Sequence, residues 1–282
     1  IRPPSEALSI LLQVTVGCSH NGCTFCGTYE KRPFRIKSRE IIEADIEFAA
    51  KHCRDQRRLF LCDGDAMAIP QHRLLEILAL INGKLPWVTR VGIYANTRCL
   101  KRKSLEDLKQ LKANKLGIVY LGLESGDDET LLKVNKKADA EAMIREGKKV
   151  REAGIKLSIT VLLGLAGPER SQEHAEATGR VLSAIDPEYV GALSLMLLPG
   201  TPLCDDYEAG RFILPDSMGM LAELRTMIEH THLSRGLFMA NHASNYLPIK
   251  ARLPHDREAT LQLIDSALNG EVPLRPEWYR GL

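Results

Sequence analysis

Leu11-Leu12-Gln13-Val14-Thr15-Val16-Gly17-Cys18-Ser19-His20-Asn21-Gly22-Cys23-Thr24-Phe25-Cys26 is an apolar run, a glycine, and then three cysteines spaced C-x4-C-x2-C. Residues 11–16 read as a strand, with β-branched members suited to a pleated, buried surface. The cysteines then fall on the loop at its C-terminal end, where a parallel α/β sheet places its ligands. Three thiolates satisfy three irons of a cubane and leave the fourth open to an outside ligand. A structural zinc ion asks for four protein ligands, and His20, between two of the cysteines, would strain a tetrahedral shell. A later cysteine completing a zinc site, or plain buried thiols, are the alternatives to a cluster.

Outward from this loop, apolar runs alternate with helical patterns. Ser38 caps a helix with an apolar stripe of Ile42, Ile46, Ala49 and Cys53. Strands are expected at Arg58–Cys62, Val91–Ala95, Ile118–Leu123, Leu157–Leu163 and Tyr189–Leu198. Helices are expected from Gln71 to Ile81, from Ser104 with its capping-box partner Asp107, from Asp139 to Ala153, and from Ser171. Strand-then-helix units at spacings of roughly 30 residues imply a parallel sheet with right-handed crossovers. An open doubly wound sheet and a partial barrel both satisfy the pattern. Beyond Pro199-Gly200-Thr201-Pro202 the alternation fails. Residues 203–282 hold helical patterns near Ser217–His232 and Glu258–Leu268 and an irregular stretch at Asn241–Tyr246. The expected organisation is therefore a main domain over 1–202 and an extension over 203–282 that closes one end of its cavity.

The 282 residues carry 38 basic and 36 acidic side chains, so no global field draws nucleic acid or membrane. Two basic clusters, Lys31–Arg39 and Arg98–Lys103, are short enough to be solvated faces. No apolar run approaches the roughly 20 residues that span a bilayer. Ile1-Arg2-Pro3-Pro4 shows no charged-then-apolar signal pattern, and the expected location is the cytoplasm. Seven cysteines, an odd number, argue against a fully paired secreted framework.

The cysteine loop after the first strand, the aromatic Phe25 before its last cysteine, and the strand-end motifs resemble the radical S-adenosylmethionine superfamily over about residues 10–205. Leu121-Gly122-Leu123-Glu124-Ser125-Gly126 and Leu198-Pro199-Gly200-Thr201-Pro202 are similar to the branch of oxygen-independent coproporphyrinogen oxidases, methylthiotransferases and Elongator-type radical domains. Asn241-His242-Ala243-Ser244-Asn245-Tyr246-Leu247-Pro248 resembles a group of radical enzymes without an assigned reaction. The superfamily usually spaces its cysteines C-x3-C-x2-C; the extra residue here is absorbed at Gly22, whose backbone is permissive.

The resemblance implies an α/β fold of the partial (β/α)6 TIM-like barrel type, with Cys18, Cys23 and Cys26 as ligands of a [4Fe–4S] cluster. S-adenosylmethionine (SAM) would be the second cofactor, cleaved reductively to a 5′-deoxyadenosyl radical under anaerobic conditions. It also implies an external one-electron donor such as flavodoxin or ferredoxin. Phe25 would sit by the cofactor. Asp63, Gly64 and Asp65, at the end of the second strand, would receive the methionyl ammonium, the alternative being an ordinary Asp-Gly turn. Glu124 would accept from the ribose hydroxyls, joined by Ser158 or Thr160, two apart and so on one face of a strand. Lys136, Lys137 or Arg145 would face the methionyl carboxylate, and backbone near Leu163–Pro168 would pass the adenine.

Asn96 and Arg98, at the third strand end, and His242 and Asn245 in the tail are candidates for substrate contact. Cys62 and Cys99 read as small buried residues, with hydrogen-atom donation as the alternative. The expected partner is a small-molecule substrate of unidentified structure. Haem carriage on the same fold is one rival reading. Modification of tRNA is another, and the tail shows no strand-rich RNA-binding module to support it.

Overall fold

The computed structural model describes residues 2–29 and 32–281; Ile1 and Lys31, the first residue of one basic cluster, lie outside them. The chain forms two compact units. The first holds residues 1–21, 28–121 and 149–157, the second residues 22–27, 122–148 and 158–282.

In the first unit the strands β1 (Ile10–Gln13), β4 (Arg58–Cys62), β5 (Arg90–Ala95) and most of β6 (Leu116–Glu124) run parallel in that order. Leu12 pairs with Leu61, Leu61 with Ile93, and Ile93 with Val119, all of them buried. The run expected at 11–16 is broken after Gln13. Thr15–Val16 (β2) leaves the sheet to form an antiparallel hairpin with Arg35–Ile36 (β3).

Helix α1 (Arg39–His52) starts where Ser38 accepts from the Ile41 amide, and it buries Ile42, Ile46 and Ala49. α2 (Gln71–Lys84) buries Leu74, Ile77, Leu78 and Ile81, each worth about 1.5–3 kcal/mol. The short α3 (Thr97–Lys101) is capped by Asn96, and α4 (Leu105–Ala113) by the full Ser104–Asp107 box.

The second unit begins with the end of β6 and the helices α5 (Asp128–Lys133) and α6 (Ala140–Glu152), the latter running back into the first. Its strands β7 (Lys156–Leu163), β8 (Tyr189–Ser194), β9 (Gly236–Met239) and β10 (Lys250–Leu253) lie side by side in that order. β7, β8 and β9 are parallel, and β10 returns antiparallel. β9 and β10 correct the expectation that regular alternation ends at Pro202. Each is only four residues long, too short to announce a period. β8 stops at Ser194, short of the expected Leu198. Helix α7 (Ser171–Ile185) packs on α9 (Ser217–Glu229), which packs on α10 (Arg257–Leu268); α8 (Pro202–Glu208) starts at the Thr201 cap. No helix among the described residues is long and apolar enough to cross a membrane.

Candidate active site

In the first unit, the turn after β4 takes hold of three consecutive loop residues. Asp63, held at φ 89°, accepts from the Gly17 amide at 2.8 Å and from Gln13 at 3.4 Å. Gly64 lies against Cys18; a Cβ on it would stand 2.9 Å from the Cys18 Cβ and 2.7 Å from the Tyr29 ring. Asp65 accepts from the Ser19 hydroxyl, from Asn96 Nδ2 at 2.6 Å and from the Cys99 thiol at 2.9 Å, all through Oδ2. Asp65 is fully buried, and its other oxygen, Oδ1, has no partner among the described residues. Burial raises its pKa above the ordinary carboxylate range. Burial also pushes the Cys99 thiol up to about 12, with Asp65 adding to the shift, so the sulfur is a proton-bearing donor. Tyr29 is raised by burial and by its hydrogen bond to Asp63.

Asn96 is therefore spoken for twice: it caps α3, accepting from the Cys99 amide at 3.0 Å, and it supports Asp65. Arg98 is exposed and donates to His20 Nδ1 at 3.3 Å.

In the second unit, the rest of the loop is fastened through its backbone. The Thr24 amide donates to Val134 O at 3.1 Å and the Leu203 amide to Thr24 O at 3.0 Å. Asn135, in the left-handed region at φ 56°, donates to Gly22 O at 2.6 Å. Phe25 packs on the apolar cluster of Val134, Leu165, Leu195 and Leu203. Cys26 is exposed, Cys18 and Cys23 are half-buried, and Cys62, Cys99 and Cys204 are buried. Thiolate is the donor that a cubane asks for, one for each of three irons. Among the described residues, no group of His, Cys, Asp and Glu is gathered to hold a single metal ion.

Glu124 ends β6 with φ 65°, buried and ion-paired to Lys136 at 2.8 Å. A Cβ at Gly122 would overlap the Glu124 carboxylate, so the glycine makes room for this pair. Lys137 is exposed, and Arg145 is half-exposed and bonded to Glu146 at 3.0 Å. Ser158 and Thr160 alternate with buried Leu157, Ile159 and Val161, so they share the less buried face of β7.

In the tail, His242 is half-buried, bonded to Ser244 at 2.9 Å, and burial lowers its pKa. Asn245 is buried, accepting from Ser194 at 3.0 Å and donating to Ala192 O at 2.8 Å. These bonds fix the irregular stretch to the end of β8. Arg280 reinforces the same stretch, donating to Ser244 O at 2.7 Å and lying 4.0 Å over the Tyr246 ring.

Sequence reasoning passed over Ser125, His174 and Glu223. They are buried together, Ser125 just after β6, His174 in the first turn of α7 and Glu223 in the middle of α9, and they lie too far apart in the chain to form a motif.

An α/β fold with parallel strands and an accessible three-cysteine loop following the first of them defines a class of cluster-binding proteins. The Radical SAM superfamily pattern matches residues 12–181, more than half of the sequence, and the chain belongs to that superfamily. It is a radical SAM enzyme whose cofactors are a [4Fe–4S] cluster and S-adenosylmethionine. It is 27% identical over 289 residues to the uncharacterized protein MJ0486 of Methanocaldococcus jannaschii, covering 98% of this chain and 81% of that one. It is 23% identical over 165 residues to the heme chaperone HemW of Bacillus subtilis, covering 57% of this chain and 42% of that one. Among solved structures, the radical S-adenosylmethionine methyltransferase TsrM of Kitasatospora setae, with cobalamin and a [4Fe-4S] cluster bound, aligns with a TM-score of 0.58. The identity is 18%, with coverage of 95% of this chain and 55% of that one. A likeness at that identity shows the shared fold, and this chain spans about half of that protein.

Proposed function

We propose that the chain cleaves SAM reductively and directs the resulting radical at a small-molecule substrate. The observation that carries this reading is the fully buried Oδ1 of Asp65, three residues beyond the end of β4 and without a partner among the described residues. A buried carboxylate oxygen without a partner costs about 1–3 kcal/mol or more, and a cationic ligand would relieve that cost. The methionyl ammonium has the needed charge and donors. When bound, the cluster and SAM supply one-electron cleavage of a carbon–sulfur bond to give a 5′-deoxyadenosyl radical.

The chain's own residues hold and orient. Cys18, Cys23 and Cys26 supply the three cluster thiolates, and Phe25 covers the loop from its apolar side. Asp65 takes the ammonium, while Asp63 and Gly64 hold the loop against it. Glu124 accepts from the ribose hydroxyls, with Ser158 or Thr160 beside them. Lys137 or Arg145 faces the methionyl carboxylate, because Lys136 is already engaged by Glu124. Arg98 and His242 contact the substrate. Residues 203–282 close the cavity around it, and an external flavodoxin or ferredoxin provides the electron.

The test is an anaerobic assay of reconstituted protein with SAM and dithionite, analysed for 5′-deoxyadenosine. Formation of 5′-deoxyadenosine in proportion to cluster content supports the reading. Retention of haem with no 5′-deoxyadenosine would favour haem carriage instead.

A further inference from the structure

The buried trio Ser125, His174 and Glu223 joins two turns that are far apart in sequence. Ser125 directly follows Glu124 at the end of β6. Its Oγ accepts from the Asp127 amide at 3.0 Å and meets His174 Nδ1 at 2.7 Å. With Oγ donating to Nδ1, the ring proton sits on Nε2, the atom on the Glu223 side. Nε2 stands 3.4 Å from Glu223 Oε1, an electrostatic contact that is too long or poorly aligned for a directed hydrogen bond. The same Oε1 accepts from the Gly164 amide at 2.6 Å, and Oε2 accepts from Ser171.

Gly164, at φ 81°, starts the turn after β7, and a Cβ there would come within 2.8 Å of Met220 on α9. On the other side, the Gly126 amide donates at 2.8 Å to Thr178, whose hydroxyl donates to His174 O at 2.6 Å. A Cβ on Gly126 would overlap the α7 backbone, so this turn is seated directly on the helix that bears His174.

A carboxylate and an imidazole, both fully buried, are costly features for a surface turn that helix packing alone would hold. We infer that His174 and Glu223 are positioning residues that lock the Glu124–Asp127 turn and the Gly164 turn into one geometry, so that both present their SAM contacts together. This rests on the proposal that those two turns receive the nucleoside part of SAM. Neither residue touches the ligand. Glu223 acts on Gly164 directly and on Glu124 only through His174 and Ser125.

The experiment combines amide hydrogen exchange without SAM and SAM titration of the cluster-loaded protein. Glu223→Ala is expected to speed exchange at least tenfold at both 124–127 and 164–166, and to weaken SAM binding about tenfold with iron content unchanged. His174→Asn keeps a polar group at the Nδ1 position toward Ser125 but cannot reach Glu223. In that background, Glu223→Ala should no longer affect the 124–127 turn, and the double variant should bind SAM no worse than the weaker single variant.

Faster exchange confined to 164–166, or additive losses of affinity, would overturn the coupling. Should Glu223→Ala fail to fold, Glu223→Gln, which keeps one acceptor oxygen and replaces the other with an amide donor, carries the same exchange test with a smaller expected change. Glu124→Ala serves as the separate control. If it leaves SAM affinity unchanged, the assignment of the turn to SAM fails, while the exchange coupling stands or falls by itself.

Discussion

Gly64 and Cys18 are packed so closely that a side chain at 64 has no room: its Cβ would stand 2.9 Å from the Cys18 Cβ and 2.9 Å from the Gly17 carbonyl oxygen. Gly64→Ala should therefore displace the first cluster ligand. Overpacking of this kind costs about 1–3 kcal/mol. Iron and sulfide content after anaerobic reconstitution is expected to fall by half or more. Full occupancy in Gly64→Ala would show that the turn does not position the loop.

Each of Cys18→Ala, Cys23→Ala and Cys26→Ala should abolish the cluster, because each removes one of three iron bonds. Cys53→Ala, on the half-buried end of α1, should leave iron content unchanged. A four-iron complement in Cys23→Ala would refute the ligand set.

Asp65→Asn should weaken SAM binding ten- to a hundred-fold, the range for losing a hydrogen bond to a charged group of about 1.5–3 kcal/mol. The pH dependence has a definite sign. Burial raises the folded-state pKa of Asp65, so between its ordinary and raised values the folded chain holds a proton that the unfolded chain has lost. Its contribution to stability is therefore present at low pH and is lost as pH rises through that window, while SAM affinity should rise over the same window. Both trends should vanish in Asp65→Asn, as followed by denaturant titration and by binding titration.

Glu124→Ala should weaken SAM binding by a similar factor, and Gly122→Ala should reproduce the loss by pushing Glu124 off Lys136. Binding titrations on cluster-loaded protein decide it. Wild-type affinity in both variants would return Glu124 to a purely structural ion pair.

Asn245→Ala strips partners from the Ser194 hydroxyl and the Ala192 carbonyl in a buried place and should lower stability by about 1–3 kcal/mol. His242→Ala should fold normally, bind SAM normally and lose substrate-dependent turnover. Thermal unfolding and SAM titration separate the two cases. Equal destabilisation by both substitutions would make His242 a structural residue too.

The strands bearing the site were legible because β4, β5 and β6 are mostly apolar runs and β7 alternates Ser158 and Thr160 with buried Leu157, Ile159 and Val161, and Ser38 and Ser104 mark helix starts by capping chemistry that is local in sequence. The Asp63-Gly64-Asp65 turn was legible as a strand end. Its hold on Gly17, Cys18 and Ser19 was not, because the partners come from another strand and are set by the sheet register. β9 and β10 escaped notice because four residues cannot establish alternation. Asn245 has a polar side chain in an irregular stretch, which reads as a ligand; only the fold shows that both ends of its amide are occupied. Ser125, His174 and Glu223 share no spacing at all, and their meeting is a product of helix packing.

The chain has two tryptophans, one in each compact unit. Trp87 is half-buried with its indole bonded to Cys53 O at 3.1 Å, whereas Trp278 is 83% exposed on the segment that Arg280 pins to Ser244 and Tyr246. A Trp87→Phe variant would therefore carry one tryptophan, two residues from the Arg280 that is bonded to the His242–Tyr246 stretch. Its emission would give an optical readout of small molecules docking there, usable for screening a compound library under nitrogen before any product has been identified.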